Sequence, residues 1–190
     1  MSAAAPAHYL FALWDGAGLV SAELTVARRL VARGHRVTVI GDPPIAADAA
    51  AVGAAFRPWR AAPARAGRAP GDDPVADWEV RSPAGLMRRI RDHLVIGPAP
   101  AYAEDTAGAI AELRPDAVVA DFLLLGAHVA AEAAGLPRAA LVGNIYPIPR
   151  PGAPPFGTGW PAPRAPPRSA GAPPWSTAWC CTSGTRGWAT

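Results

Sequence analysis

The chain has 190 residues, of which 51% are apolar and 17% charged, enough for one well-buried domain with some sequence left over. Residues 1–150 hold 15 arginines against 15 acids, so the net charge of +3 comes from Arg164, Arg168 and Arg186. The sequence therefore shows no cluster of basic residues of the kind that binds nucleic acid. The N-terminus lacks a basic start and no stretch approaches ~20 apolar residues, so we expect a cytoplasmic protein without signal peptide or membrane span.

Strand and helix patterns alternate from the N-terminus onward. A short apolar run at 8–13 predicts a buried strand, helical spacing over 21–33 predicts an amphipathic helix, and VTVI at 37–40 predicts the next strand. We expect Ser21 to cap that helix and Gly34 to end it in a left-handed conformation. Together these segments predict a βαβ unit with a right-handed crossover.

The same alternation continues through the next hundred residues. Ser82 and Pro83 are expected to open one of the helices, and Pro115 and Gly135 to follow the ends of two others. The predicted fold is α/β, a doubly wound parallel sheet with helices on both faces. The predicted segments are helices at 45–52, 83–94, 98 or 100 to 114 and 125–134, strands at 54–56, 117–120 and 139–142, and a polar loop at 60–76.

The last forty residues differ in character from the rest. Residues 151–190 hold nine prolines, four of the seven tryptophans, no acid and no regular period. One interpretation is a disordered tail, although four tryptophans fit that poorly. We favour the other, in which the natural sequence ends near Arg164 and out-of-frame translation follows. Cys180 and Cys181 lack metal-ligand spacing, and we predict no metal site. We therefore divide the chain into a Rossmann-like domain at 1–150 and an irregular tail at 151–190.

Gly16-Ala17-Gly18, between the first strand and helix, invites comparison with a dinucleotide-binding loop. The G-x-G-x-x-G fingerprint needs a third glycine, where this chain has Ser21. It also needs an acid about 20 residues on, whereas Asp42 follows Gly16 by 26 positions, inside a turn. The match is partial, and an NAD(P)- or FAD-binding Rossmann protein stays an alternative.

Two segments carry a family resemblance that covers about residues 1–150. The first, GLVSAELTVARRLVARGHRVTVIGDP, resembles the opening βαβ unit of GT-B glycosyltransferases of the UDP-glycosyltransferase-like superfamily. That unit shows a Gly-His-Val-x-Pro-like loop, a Leu-Ala-x-x-Leu helix and then Gly-His-x-Val-Thr. The second, IAELRPDAVVADFLLLGAHVAAEAAGLPRAALVGNIYP, resembles a later part of the same domain, with its Pro-Asp-x-Val-Val-x-Asp strand and Ala-Glu-x-x-Gly-x-Pro turn.

The resemblance implies the N-terminal half of a two-domain enzyme of bacterial style. In that family this half binds the acceptor, here a small molecule such as a natural product or lipid, and the C-terminal half binds the nucleotide-sugar donor. The reaction it implies is an inverting hexosyl transfer that needs neither metal nor cofactor. The chain has about half the family's usual length, so we expect it to lack the donor domain, to be inactive alone and to self-associate through an exposed interdomain face. A non-catalytic remnant or binding module is the alternative.

The resemblance also implies roles for individual residues. In the family a histidine of the first loop removes the acceptor hydroxyl's proton, since an alcohol is a poor nucleophile without a base, and an aspartate orients it. Leu19 occupies the histidine's place and cannot accept a proton, whereas Asp121 matches the aspartate. Our candidate catalytic residues are therefore Asp121 and Asp15, which follows the first strand.

The acceptor-binding candidates lie near these carboxyl groups in the sequence. We expect Gly16 and Gly18 to let the chain turn tightly beneath the acceptor. His128 lies about two helical turns after Asp121, which points it back toward the same cleft, and aromatic residues near the strand ends suit an apolar pocket. The predicted acceptor-binding residues are Trp14, Gly16, Gly18, Leu19, Phe122, His128 and Tyr146.

Overall fold

The computed structural model describes residues 5–16 and 18–142. Within them, five parallel strands form one sheet in the order β3-β2-β1-β4-β5. Tyr146 and the predicted tail at 151–190 lie outside the described residues. The strands are β1 (His8–Leu13), β2 (Arg36–Gly41), β3 (Ala55–Pro58), β4 (Ala117–Asp121) and β5 (Arg138–Leu141), and the helices are α1 (Leu19–Ala32), α2 (Ala46–Ala51), α3 (Pro83–Ile90), α4 (Ala99–Leu113) and α5 (Leu125–Ala133).

An apolar layer covers each face of the sheet, because successive side chains of a strand point to opposite sides. On one face Phe11 packs with Leu24 of α1. On the other face Leu10 packs with Tyr102 of α4 and with Leu124, just before α5. Each such large side chain contributes roughly 1.5–3 kcal/mol when it leaves water. The structure thus confirms the doubly wound parallel sheet with helices on both faces.

Local signals in the sequence place most of the element ends. Gly34 and Gly135 follow α1 and α5 with φ of +84° and +68°, the left-handed conformation that favours glycine. Before α3, the hydroxyl of Ser82 accepts a hydrogen bond from the N–H of Gly85 at 3.1 Å. The predicted 83–94 helix changes type near its end, because the chain widens into a π-helical turn at Arg91–Val95.

The start of α1 differs from the prediction. The helix begins at Leu19 with Gly18 as its N-cap, and the Ser21 side chain instead donates to the Gly18 carbonyl at 3.3 Å. The physical reason lies in the apolar stripe of the helix, because Val20 is buried and extends the stripe formed by Leu24 and Ala27 by one turn.

The strand order creates a topological switch point between β1 and β4. From β1 the chain runs outward to β2 and β3, and it then returns to β4 and β5 on the other side. Sheets of this kind bind ligands outside the carboxyl ends of their strands at such a point. Trp14 and Asp15, which follow β1, and Asp121, which ends β4, lie at this edge.

Candidate functional site

A cavity of about 540 Å³ opens at the switch point. Four of the predicted acceptor-binding residues line it together, namely Trp14, Gly16, Gly18 and Leu19. The lining is mostly apolar with one carboxylate, which suits an apolar small molecule. The remaining walls come from the segment 59–82 between β3 and α3, which we call the long loop, from the α3 region and from the residue two places after β4. They are Asp73, Val75, Leu86, Ile90, Leu94 and Leu123.

The two glycines of the first loop differ in their surroundings and in whether the structure requires glycine there. At Gly16 an added Cβ would lie 2.7 Å from the Trp14 ring, and the Gly16 N–H donates to the Trp14 carbonyl at 2.9 Å in a tight turn. At Gly18 the backbone is ordinary, with φ −71° and ψ −11°, and an added Cβ would meet no atom within 4 Å. The tight-turn expectation therefore describes Gly16, whereas any small residue fits at Gly18.

Asp121 lies fully buried beside this cavity rather than on its surface. One carboxylate oxygen, Oδ1, accepts from the N–H of Leu123 at 2.7 Å, whereas Oδ2 has no hydrogen-bond partner among the described residues. The Trp14 indole lies close enough to influence the pKa of Asp121, although outside good hydrogen-bond geometry. Trp14 and Leu123, which both line the cavity, are thus also neighbours of Asp121.

Glu23, which the sequence analysis missed, faces Asp121 from α1. Its side chain is 2% exposed, and neither carboxyl oxygen has a hydrogen-bond partner in the described part of the chain. Burial, followed by the neighbouring Asp121 carboxylate, raises the pKa of Glu23 to about 9, so this carboxyl is protonated at neutral pH. One sequence signal points to it: an acid lies within the apolar stripe that Val20 and Leu24 define on α1.

Burial also raises the pKa of Asp121, opposed by the hydrogen bond from Leu123 and by the nearby Glu23 carboxyl. The two groups are close enough to affect each other's ionisation. Two carboxyl groups that share a dry site do not both ionise, so the pair retains one proton near neutral pH.

His128 approaches Asp121 as predicted from its spacing, but it contacts the strand rather than the carboxylate. Its Nε2 lies 3.1 Å from the main-chain carbonyl oxygen of Asp121, and burial lowers the pKa of the imidazole. Phe122 is half-buried, and its N–H donates to the Leu141 carbonyl at 3.0 Å. Neither His128 nor Phe122 lines the cavity.

Asp15 belongs to a separate cluster at the same sheet edge, which we call the loop anchor and which comprises Asp15, Asp42, Arg65 and Arg68. The Asp15 carboxylate accepts a hydrogen bond from Arg68 Nε at 2.8 Å, and the main-chain N–H of Asp15 donates to Asp42 Oδ2 at 2.6 Å. The other Asp42 oxygen accepts from the N–H of Arg65 at 3.0 Å, and Arg65 Nη1 donates to the Asp15 carbonyl at 3.0 Å. The cluster ties the long loop to the ends of β1 and β2, which favours a structural role for Asp15.

A second set of hydrogen bonds holds the start of the same loop. Asp105 of α4 accepts main-chain N–H groups from three consecutive loop residues, at distances of 2.7–3.1 Å for Arg60, Ala61 and Ala62. The Tyr102 hydroxyl donates to the Pro63 carbonyl at 3.1 Å. The loop that supplies Asp73 and Val75 to the cavity is therefore attached to both the sheet and α4.

Solved glycosyltransferases share this architecture. The glycotransferase of kitacinnamycin matches with a TM-score of 0.56 and 26% identity, over 74% of this chain and 31% of that one. CalG4, the calicheamicin glycosyltransferase, matches with a TM-score of 0.59 and 24% identity, over 75% of this chain and 34% of that one. Spinosyn rhamnosyltransferase SpnG, complexed with thymidine diphosphate, matches with a TM-score of 0.52 and 20% identity, over 79% and 37%.

The fold is that of the GT-B glycosyltransferases. The family resemblance read from the two sequence segments is thereby confirmed at the level of fold. The chain spans about a third of the length of these glycosyltransferase structures. No protein-family model and no curated protein matches the sequence.

The described part of the chain contains neither a candidate metal site nor a candidate membrane span. Across residues 5–16 and 18–142, no three histidine, cysteine or acidic side chains come together as a metal ion would require. None of the helices described there combines the length and apolar character needed to cross a bilayer.

Proposed function

We propose that this domain is the acceptor-binding half of a glycosyltransferase. It holds a small-molecule acceptor whose hydroxyl receives a hexosyl group from a nucleotide-sugar bound to a second domain. The observation that carries this proposal is the cavity at the switch point of a GT-B fold, where Trp14, Gly16, Gly18 and Leu19 form one wall. The acceptor-binding role of these residues is part of the proposal.

The chemistry needs a base close to the acceptor hydroxyl. As the oxygen forms its bond to the anomeric carbon, its proton must leave, and the nucleotide diphosphate departs with the electrons of the bond that breaks. Leu19 lines the cavity but cannot take the proton. Asp121 is the candidate base, because its raised pKa makes the carboxylate a stronger base than an exposed one, and because it neighbours Trp14 and Leu123 of the cavity wall.

The dinucleotide alternative receives no support from the loop geometry. Asp42 is 2% exposed and both of its carboxylate oxygens already accept main-chain N–H groups, so a ribose hydroxyl has no access to it. Gly18 shows neither the close approach nor the special backbone that would require glycine beneath a pyrophosphate.

Ligand binding to the full chain tests the proposal. By calorimetry we expect binding of 2-naphthol, an apolar hydroxyl compound, and none of NADP or FAD. The variant L19W fills the cavity and should weaken 2-naphthol binding at least about tenfold, or ~1.4 kcal/mol. The matched control is V26W, since Val26 is 39% exposed on the same helix and does not line the cavity. Tight dinucleotide binding, or naphthol binding that L19W leaves unchanged, would contradict the proposal.

Two expectations about the whole chain accompany this function. Sugar transfer from UDP-glucose to 2-naphthol, followed by mass spectrometry, should be undetectable with this chain alone, because the donor is expected to bind another domain. Self-association also stays a prediction. Leu125 and Val129 of α5 are 42% and 61% exposed, and such apolar surface favours association. A monomer at high concentration in sedimentation velocity would argue against it.

A further inference from the structure

Unpartnered polar atoms concentrate at one point of the molecule, beside the cavity. Both carboxyl oxygens of Glu23, Oδ2 of Asp121 and Nε1 of Trp14 are buried without a hydrogen-bond partner among the described residues. Burying a carboxyl group without partners costs several kcal/mol when it is charged, and less when it is neutral. A chain that keeps two such groups face to face at the switch point needs an explanation beyond packing.

We infer that Glu23 is a positioning residue of this site, which shares one proton with Asp121 and keeps the Asp121 carboxylate ready to receive the proton of the acceptor hydroxyl. This inference rests on the proposed function and deepens it. Glu23 thereby gives Asp121 a titratable neighbour on α1, one helical turn after Leu19, whose side chain cannot exchange a proton.

The placement of the two carboxyl groups supports this division of roles. Glu23 lies four residues after Leu19, so both share one side of α1, with Leu19 at the cavity and Glu23 beneath it against Asp121. A protonated Glu23 can donate to Asp121, while an ionised Asp121 can only accept. Two basic groups lie on this side of the sheet. His128 of α5 contacts the main-chain carbonyl of Asp121, and the charge of Arg138 of β5 lowers the pKa of His128.

The step balances without a further reagent beyond the nucleotide-sugar. Before transfer the pair carries one negative charge, with the proton on Glu23. Because Asp121 is buried and does not line the cavity, the proton of the acceptor O–H passes to Asp121 Oδ2 through one water molecule as the acceptor oxygen bonds to the anomeric carbon, and the nucleotide diphosphate leaves with the electron pair of the broken bond. Both carboxyl groups are then neutral, and Asp121 returns its proton to water.

The first test measures the coupling itself and needs no ligand. In the full chain, with ¹³C-labelled aspartate and glutamate side chains, NMR should show the Glu23 carboxyl titrating near pH 9. In D121N its midpoint should fall by about one pH unit or more, since a negative neighbour has been removed. The control E132Q removes an exposed charge on α5 and should leave the midpoint unchanged.

A Glu23 midpoint that D121N does not move would overturn the inference, because a merely buried glutamate is indifferent to Asp121. The reciprocal variant E23L, which has no donor at this place, covers the case in which D121N fails to fold. It should raise the midpoint of Asp121, because the Glu23 carboxyl favours the ionised form of Asp121, and an unchanged Asp121 would again overturn the inference.

The second test separates the inference from the proposed function. At pH 7, saturating 2-naphthol should move the carboxyl resonance of Asp121, whereas 2-methoxynaphthalene, which has no hydroxyl proton, should bind and leave it in place. If both compounds bind and neither moves the resonance, the role of Glu23 fails and the acceptor cavity stands. If neither binds, the proposed function fails, and the role given to Glu23 fails with it.

Discussion

The loop anchor and the Glu23–Asp121 pair both place buried carboxyl groups at the same sheet edge, but the hydrogen bonding of these carboxyl groups differs. In the loop anchor, both oxygens of Asp42 accept main-chain N–H groups. In the pair, three of the four oxygens have no partner in the described structure. Fully satisfied carboxylates hold a loop in place, and unsatisfied ones keep a proton that chemistry can use. Under the proposed function, the comparison predicts a structural role for the loop anchor and a reactive role for the pair.

The largest effect is expected in the loop anchor. D42A leaves the N–H groups of Asp15 and Arg65 without their acceptor in a buried place, at about 1.5–3 kcal/mol for each bond to a charged group. We expect the free energy of unfolding, measured with urea, to fall by about 3–5 kcal/mol. D42N retains one acceptor oxygen and should lose about half as much. A loss below ~1 kcal/mol in D42A would break the distinction between the two clusters.

The pair should instead respond to pH. Because the folded pKa of Glu23 is raised, the folded chain keeps a proton that the unfolded chain releases above about pH 4.5, and stability falls as the pH rises toward about 9. The full slope is ~1.4 kcal/mol per pH unit for one proton. E23Q cannot ionise, so between pH 6 and pH 9 its free energy of unfolding should gain roughly 3–4 kcal/mol relative to the wild type. If the free energies of unfolding of E23Q and the wild type changed in parallel with pH, the raised pKa of Glu23 would be contradicted.

The two glycines offer a smaller contrast beside the pair. G16A places a methyl group against the Trp14 ring, and we expect a loss of about 1–2 kcal/mol together with weaker 2-naphthol binding. G18A meets open space and should change stability by less than about 0.5 kcal/mol. Urea unfolding and calorimetry measure both effects. Equal losses in the two variants would show that the Trp14 position is not the constraint.

The smallest effect concerns the histidine behind the pair. Burial lowers the folded pKa of His128 below its usual 6.5, so the unfolded chain binds the proton more readily and stability is lost as the pH falls below that value. H128Q should therefore lose less stability than the wild type between pH 7 and pH 5, by about 0.5–1 kcal/mol. H93Q, at an exposed histidine after α3, is the matched control and should follow the wild type.

Much of the fold could be predicted because its signals are local. Gly34, Ser82 and the apolar run of β1 each act within a few residues, and the structure places them as expected. The start of α1 was placed too late, because the burial of Val20 depends on the sheet beneath it rather than on a capping side chain.

The candidate site was harder to predict, since its decisive contacts join distant segments. Asp121 and the spacing to His128 follow from one strand and one helix. That Glu23 faces Asp121, and that Asp15 faces Arg68 instead, depends on how α1 and the long loop lie over the sheet. Sequence alone gives two acids at one sheet edge without showing that their partners differ.

Under the proposed function, the attachment of the long loop has a consequence for how the choice of acceptor could change. Most of its tethers are main-chain groups: the N–H groups of Arg60, Ala61 and Ala62 on Asp105, and the N–H of Arg65 on Asp42. Any residue except proline offers such a group. The side chains that the loop presents to the cavity can therefore be exchanged while the loop keeps its place, which makes it the natural segment to randomise when a library of new acceptor specificities is built.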